Sequence, residues 1–309
     1  MNTDIIFCCP ETKVKLTLTE HGYKRSDGKI YPIKNGIPCF LGVSIEKESL
    51  IQKEHYDRVA ENYQKNLSYP HTQAYTEYLD NVLKDVNHGA ALGNMVELCC
   101  GTGESFSLCP NFSKGIGIDI SMAMLEKAAA QNSNSNVTFA QADVLHLPLE
   151  DNSIDTIVML GGIHHIPDRK SLFAEIFRVL KPEGRFVFRE PLNDFILWRV
   201  LRFVIYRISP GLEAGTERPL RKNETIPLLE DAGFSDIVWR PAGLFGFCIF
   251  MNSDILVFNR LFQYIPKIKA IVRASAFLDD LLLRIPLLKN SGLQVVGSAV
   301  KKSQLPQGK

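Results

Sequence analysis

Two carboxylates spaced around a glycine turn are the residues in this chain best suited to hold a ligand. Met95-Val-Glu-Leu-Cys-Cys-Gly-Thr-Gly-Glu104 reads as a short apolar strand, a tight turn and the start of a helix. Gly101 and Gly103 let the backbone approach a bound group where a Cβ would intrude. About twenty residues further on, the apolar run Gly115-Ile-Gly-Ile-Asp119 ends in a carboxylate, a spacing suited to ribose hydroxyls at the carboxyl edge of a parallel sheet. Dinucleotide turns carry a third glycine, and Phe106 stands in its place. A triphosphate loop G-x-x-x-x-G-K-[ST] is also missing. The turn therefore suits a nucleoside without a phosphate signature.

At this point the sequence resembles the class I S-adenosylmethionine-dependent methyltransferases. Glu97-Leu-Cys-Cys-Gly-Thr-Gly103 is similar to the first motif of that family, with Cys99 where a glycine is usual. Asp119 matches the ribose-binding acid, and Gln141-Ala-Asp143-Val-Leu-His-Leu-Pro-Leu matches the segment whose acid faces the adenine amino group. Ile154 to Asp168 resembles the fourth strand and its loop, and Val179 to Phe188 the following turn and fifth strand. His55 to Tyr63 resembles the helix that covers the cofactor. The resemblance spans roughly residues 55–190. It implies S-adenosylmethionine as cofactor, with Tyr63, Glu97, Cys99, Gly101, Gly103, Asp119, Ile120, Asp143, Val144 and Leu160 as the residues around it. Ile120 and Val144 would flank the adenine ring.

Each assignment has a plainer reading. Asp119 is then only a helix N-terminal charge, and Asp143 only a loop cap. Tyr56 and Tyr63 either cover the cofactor or pack a helix. His164 and His165 follow the fourth strand, where a histidine can take a proton from an acceptor hydroxyl. His165 is the candidate base and His164 the weaker one; alternatively one packs the following helix and the other touches the cofactor. Acids and histidines at metal-ligand spacing are absent from the sequence, so no metal is expected.

The elements that position these residues alternate. Strands over 95–100, 115–119, 137–140, 154–160 and 185–189 are separated by helices, one of them starting after Ser121, a favourable N-cap. That alternation predicts a doubly wound, Rossmann-like α/β fold with a parallel sheet, and the resemblance makes the sheet seven-stranded. A strand near 234–240 and another over 292–301 follow. About 50 residues lie between them, far more than an ordinary hairpin loop, so a helical insertion before the last strand is expected. Helical lid segments are expected over 45–90, 191–222 and 244–290 of a main domain spanning 45–309.

Residues 1–44 form a small β-rich appendage in this reading. Asp27-Gly28 and Asn35-Gly36 break short apolar runs, as in β-hairpins. Cys9-Pro-x-Thr-Lys13 followed by Tyr31-Pro-Ile-x-x-Gly-Ile-Pro38 resembles the Trm112-like family, whose zinc-bearing members use paired cysteines. Cys8 and Cys9 are adjacent and Cys39 stands apart, a poor match to tetrahedral zinc. The appendage then acts as an intramolecular support or a partner-docking surface.

The 309 residues carry 35 basic and 34 acidic side chains, a net charge of +1, which argues against nucleic acid as a whole-surface partner. Seven cysteines make no paired framework and suggest reduced thiols and a cytoplasmic location. No apolar run approaches the length of a membrane span. Phe195 to Ile208 is densely apolar with Arg199, Arg202 and Arg207, which fits either a lid over an apolar acceptor or a membrane-peripheral contact. The expected activity is transfer of a methyl group to oxygen or carbon of a small apolar acceptor. The competing readings are a nucleotide-cofactor oxidoreductase, methylation of RNA or protein, and a partner-docking protein that keeps the fold.

Overall fold

The computed structural model describes residues 6–42, 49–57, 68–87, 91–208, 217–251 and 257–303. The strand carrying the glycine-turn motif, β6 (Asn94–Leu98), is buried at every position. A continuous apolar run of this kind belongs in the middle of a parallel sheet covered on both faces. It pairs in parallel with β7 (Lys114–Asp119) and β9 (Ile154–Leu160). β8 (Val137–Gln141) adds to β7, and β10 (Leu180–Pro191) adds to β9, both in parallel. β12 (Gln294–Val300) runs antiparallel between β10 and β11 (Ser235–Ala242). The seven strands lie in the order β11-β12-β10-β9-β6-β7-β8. The chain first moves outward from β6 through β7 to β8, then returns to β9 on the other side. The switch point between β6 and β9 opens a crevice at their carboxyl ends.

Helices cover both faces: α1 (residues 49–57), α2 (Pro70–Val86), α3 (Glu104–Leu108), α4 (Met122–Gln131), α5 (Arg169–Val179), α6 (Ile196–Ile208), α7 (Lys222–Asp231), α8 (Phe245–Phe250) and α9 (Ile268–Leu283). Local chemistry sets several starts. The Ser121 hydroxyl accepts the Met124 amide at the start of α4, as its position before the apolar period predicts. Asp168 caps α5 through the Ser171 amide at 3.0 Å. Leu98, Ile118, Phe173 and Phe186 build one core layer, and Tyr75, Leu83, Val187 and Val272 another. The observed strand ends lie within two residues of the expected ones at every strand but β10. The largest change is at β10, whose bulged start lies at Leu180.

The N-terminal unit has β1 (Thr17–Thr19), β2 (Gly22–Lys24) and β3 (Ile30–Tyr31) in one antiparallel sheet, and β4 (Ile33–Lys34) with β5 (Ile37–Pro38) in a hairpin. Asn35 and Gly36 both have positive φ, 50° and 79°, which a tight hairpin turn requires. The Phe40 amide donates to the Gln141 carbonyl at 2.7 Å, so this unit covers the outer strand β8 and blunts an exposed sheet edge. Cys9 Sγ lies 3.1 Å from the Tyr31 hydroxyl, and Cys39 Sγ donates to the Ile37 carbonyl at 3.5 Å. Among the described residues no three His, Cys, Asp or Glu side chains are grouped to hold a metal.

The expected insertion between the last two strands holds α8, a 3-10 turn (Val257–Tyr264) and α9. The break between the last two falls at Pro266, and α9 ends before Pro286. Buried Asp279 fastens the insertion. It accepts the Tyr75 hydroxyl at 2.6 Å and the amides of Leu244 and Gly246 at 2.9 Å each. Replacing Asp279 by alanine strands these donors in the interior and should lower stability by about 3 kcal/mol. Thermal unfolding measures it, and an unchanged transition would contradict the anchoring role.

Candidate functional site

The carboxyl edge at the switch point holds a cavity of about 830 Å³. It is lined by Glu97, Cys99, Gly101, Gly103, Asp119, Ile120, Asp143, Val144 and Leu160, every cofactor-site residue expected from sequence except Tyr63. Tyr63 lies outside the described residues. Four strand ends thus bring together side chains that are up to 63 positions apart in the chain, from Glu97 to Leu160.

The glycine turn is unusual in its backbone. Cys99, Gly101 and Gly103 have φ of 49°, 50° and 79°. Glycine adopts this region freely, whereas Cys99 does so at a cost of order 1 kcal/mol. Among the described residues, nothing other than its two chain neighbours stands within 4 Å of where a Cβ on Gly101 would be. The turn therefore offers bare backbone to the cavity.

Asp119 ends β7 and is buried. Its Oδ2 accepts the Gly101 amide at 2.8 Å and its Oδ1 accepts the Ser121 amide at 2.9 Å. It thus shapes the turn and the start of α4 together. Burial raises its pKa, against the lowering effect of these amides. A carboxylate has about four lone-pair sites, so acceptor capacity remains for two hydroxyls. Asp143 Oδ1 accepts the Leu145 amide at 3.0 Å, so it caps its loop as well as lining the cavity.

Glu97 is the least satisfied of these acids. Its Oε1 accepts the Ser105 amide at 3.1 Å, and its Oε2 has no hydrogen-bond partner. Burial pushes its carboxyl up to about 8, and the charges of Glu104 and Asp119 add to that push. A buried carboxyl in this state gains most from a cation brought into the cavity.

Beyond the strand ends, Glu190, which the sequence reading did not single out, braces the loop beside the cavity, and α1 forms a rim. Glu190, at the end of β10, is fully buried. It accepts the amides of Gly162 and Ile163 at 2.7 and 2.8 Å, and meets His164 Nδ1 at 2.8 Å. Its signal in sequence is the one that marked Asp119, an acid closing an apolar strand. On α1, Ser49, Gln52 and Tyr56 share one face at helical spacing and line the cavity. Both polar atoms of the buried Gln52 amide lack partners. Asp57 on the same helix hydrogen-bonds Ser121, tying α1 to the β7 loop. Across the cavity, Arg189 pairs with Asp80 at 2.7 Å and with Glu104 at 3.4 Å; burial still raises Asp80 to about 6.

The two histidines separate. His164 is held by Glu190 and does not line the cavity, whereas His165 does. His165 Nε2 lies 2.8 Å from the Tyr56 hydroxyl, and its Nδ1 has no hydrogen-bond partner. Burial, with His164 and His55 adding to it, depresses its pKa to about 2. Its imidazole is neutral at ordinary pH.

With this geometry in place, known proteins give a consistent picture. A family model described as a methyltransferase domain matches residues 96–188. Demethylmenaquinone methyltransferase of Lactococcus lactis is 40% identical over 101 residues, 30% of this chain and 40% of that protein. The protein of the same name from Symbiobacterium thermophilum is 28% identical over 178 residues, 55% of this chain and 70% of that protein. The chain thus spans two fifths of the length of the Lactococcus relative. A solved structure of Haemonchus contortus phosphoethanolamine N-methyltransferase 2 in complex with S-adenosyl-L-methionine superposes with a TM-score of 0.54 at 17% identity, covering 85% of this chain and 61% of that one. The domain has the class I methyltransferase fold, a Rossmann-like sheet with flanking helices.

The burial of His165 gives a direct check. Its pKa near 2 means the imidazole should stay neutral as pH falls to 4, read from its ring resonances by NMR. Titration near the ordinary histidine value of about 6.5 would contradict the environment described.

Proposed function

We propose that this chain transfers a methyl group from S-adenosylmethionine to a small apolar acceptor. The observation that carries the reading is one cavity in which bare glycine backbone, the strand-end carboxylate Asp119 and the unpartnered Glu97 Oε2 lie together. When bound, the cofactor supplies a sulfonium whose methyl group is already activated for displacement. The protein's part is then to bind, orient and exclude water.

In this reading Asp119 accepts from the ribose hydroxyls and Asp143 from the adenine amino group, between Ile120 and Val144. Glu97 meets the ammonium of the methionine tail, which supplies the cation its burial calls for. Gly101 and Gly103 leave room for that tail, with Cys99 and Leu160 beside it. Tyr63 belongs to the same reading as a cover on the cofactor. His165 is the candidate base for a hydroxyl or carbon acid. Its low proton affinity makes it a weak base alone, so the oxyanion formed beside it would have to stabilise the imidazolium. Its bond to Tyr56 fixes the ring for that task.

Apolar character of the acceptor is supported by the demethylmenaquinone methyltransferases among the relatives. It is supported too by Phe106, Leu160, Ile166 and Pro167 in the cavity wall. A peripheral membrane contact through 195–208 and a cytoplasmic location belong with such an acceptor. The Trm112-like N-terminal unit acts as a support for the sheet edge at β8.

The test is incubation of the chain with isotopically labelled cofactor and demethylated isoprenoid quinone, followed by mass spectrometry. Label should enter the quinone. Asp119→Ala should weaken cofactor binding by about a hundredfold, the loss of two hydrogen bonds to a charged acceptor, as measured by calorimetry. Label recovered only in water-soluble acceptors would overturn the apolar acceptor, and unchanged affinity of Asp119→Ala would overturn the ribose assignment.

A further inference from the structure

The largest feature that catalysis leaves unused is apolar surface turned outward. Among the described residues, 24 large hydrophobic side chains are exposed, and 17 of them lie in 196–204 and 245–287. They are therefore concentrated in two segments.

On α6, Trp198 turns inward and Arg202 pairs with Glu217. Ile196, Leu197, Val200, Leu201, Phe203 and Val204 are 44–67% exposed. At 3.6 residues per turn these six fall in one arc of about 160°, unbroken over 196–204. α9 repeats the arrangement. It buries Ile268, Val272, Ala276 and Leu283 on one side, while Ile271, Phe277, Leu278 and Leu281 stand 47–70% exposed on the other.

Both segments leave the sheet at one edge. β11 and β10 are each antiparallel to β12, so they run in the same direction. α6 follows the carboxyl end of β10 and the insertion follows that of β11, the edge at which the cavity lies.

Charge decides what covers these faces. Residues 195–208 hold three arginines and no acid, and 257–289 hold six basic residues against two acids, in a chain whose net charge is +1. Of those two acids, Asp279 is buried and Asp280 is paired with Arg240 and Arg284. Arg199, Lys267, Lys269 and Lys289 are exposed. A second copy of the chain would bring this positive charge against itself. An apolar helix face flanked by cations fits an anionic lipid surface, with side chains in the acyl boundary and cations at the headgroups.

We infer that α6 and the β11–β12 insertion form a docking surface for an anionic bilayer at the cavity edge. This deepens the proposed function, because it sets the cavity beside the phase in which an apolar acceptor dissolves. It rests on that function only for its biological consequence; the surface itself is tested without turnover.

The experiment is co-sedimentation of the full chain with vesicles of phosphatidylcholine alone and of phosphatidylcholine with phosphatidylglycerol. Binding should require phosphatidylglycerol and weaken with salt. Leu197→Glu with Phe203→Glu on α6, and Phe277→Glu with Leu281→Glu on α9, should each lower partitioning by about tenfold or more. All four side chains are exposed, so far-UV circular dichroism and cofactor affinity should not change. That separates failure of the surface from failure of the methyltransferase reading. Equal binding to neutral vesicles, binding to neither, or undiminished binding of the variants would overturn the inference. So would a dimer, seen by light scattering, that the same substitutions dissociate.

Discussion

A carboxylate taken out of water must be met by donors, and that requirement shapes the whole carboxyl edge of this sheet. Glu190 gathers the amides of Gly162 and Ile163 and so bends the chain after β9. Asp119 gathers the amides of Gly101 and Ser121, holding the turn after β6 against the start of α4. Each acid sits at the end of one strand and dictates the loop of a neighbour or its own. Glu97 is different, since one of its oxygens is left without a donor. The edge is therefore built for one more positively charged or donating group than the chain itself provides.

Much of this was legible in the sequence because strand ends announce themselves. Apolar runs closing in Asp119, or opening into Gly101 and Gly103, mark both the sheet and its ligand edge with purely local signals. The hairpin turns at Asp27-Gly28 and Asn35-Gly36 were readable for the same reason. Glu190 obeys the rule too, yet its partners lie in a loop some 26 residues earlier, and such pairing carries no local mark. Gln52 and Asp57 escaped notice because their meaning depends on where α1 crosses the cavity. The two adjacent histidines could not be told apart by position. The Glu190 carboxylate claims His164, leaving His165 to the cavity.

Specificity is divided differently from cofactor binding. The turn, Asp119 and Asp143 come from the alternating core, whereas α1, α6 and the insertion before β12 lie outside it. Asp279 pins that insertion to α2 through Tyr75, so α9 packs one apolar side firmly while presenting a second outward. A helix apolar on both sides is costly in water and gains from an apolar partner phase. An acceptor that lives in such a phase would link the two halves of the account.

The central claim is that Glu97 receives the ammonium of an adenosyl amino acid. Its carboxyl, held near pH 8 by burial, is mostly protonated at pH 7, and a bound ammonium favours the carboxylate. Binding should thus expel a proton, and affinity should rise with pH until about 8. Titration calorimetry of S-adenosylhomocysteine at pH 7, in buffers of different ionisation enthalpy, reads this directly. The account predicts release of most of one proton, abolished in Glu97→Gln. Binding with no buffer dependence, or no binding at all, would contradict it.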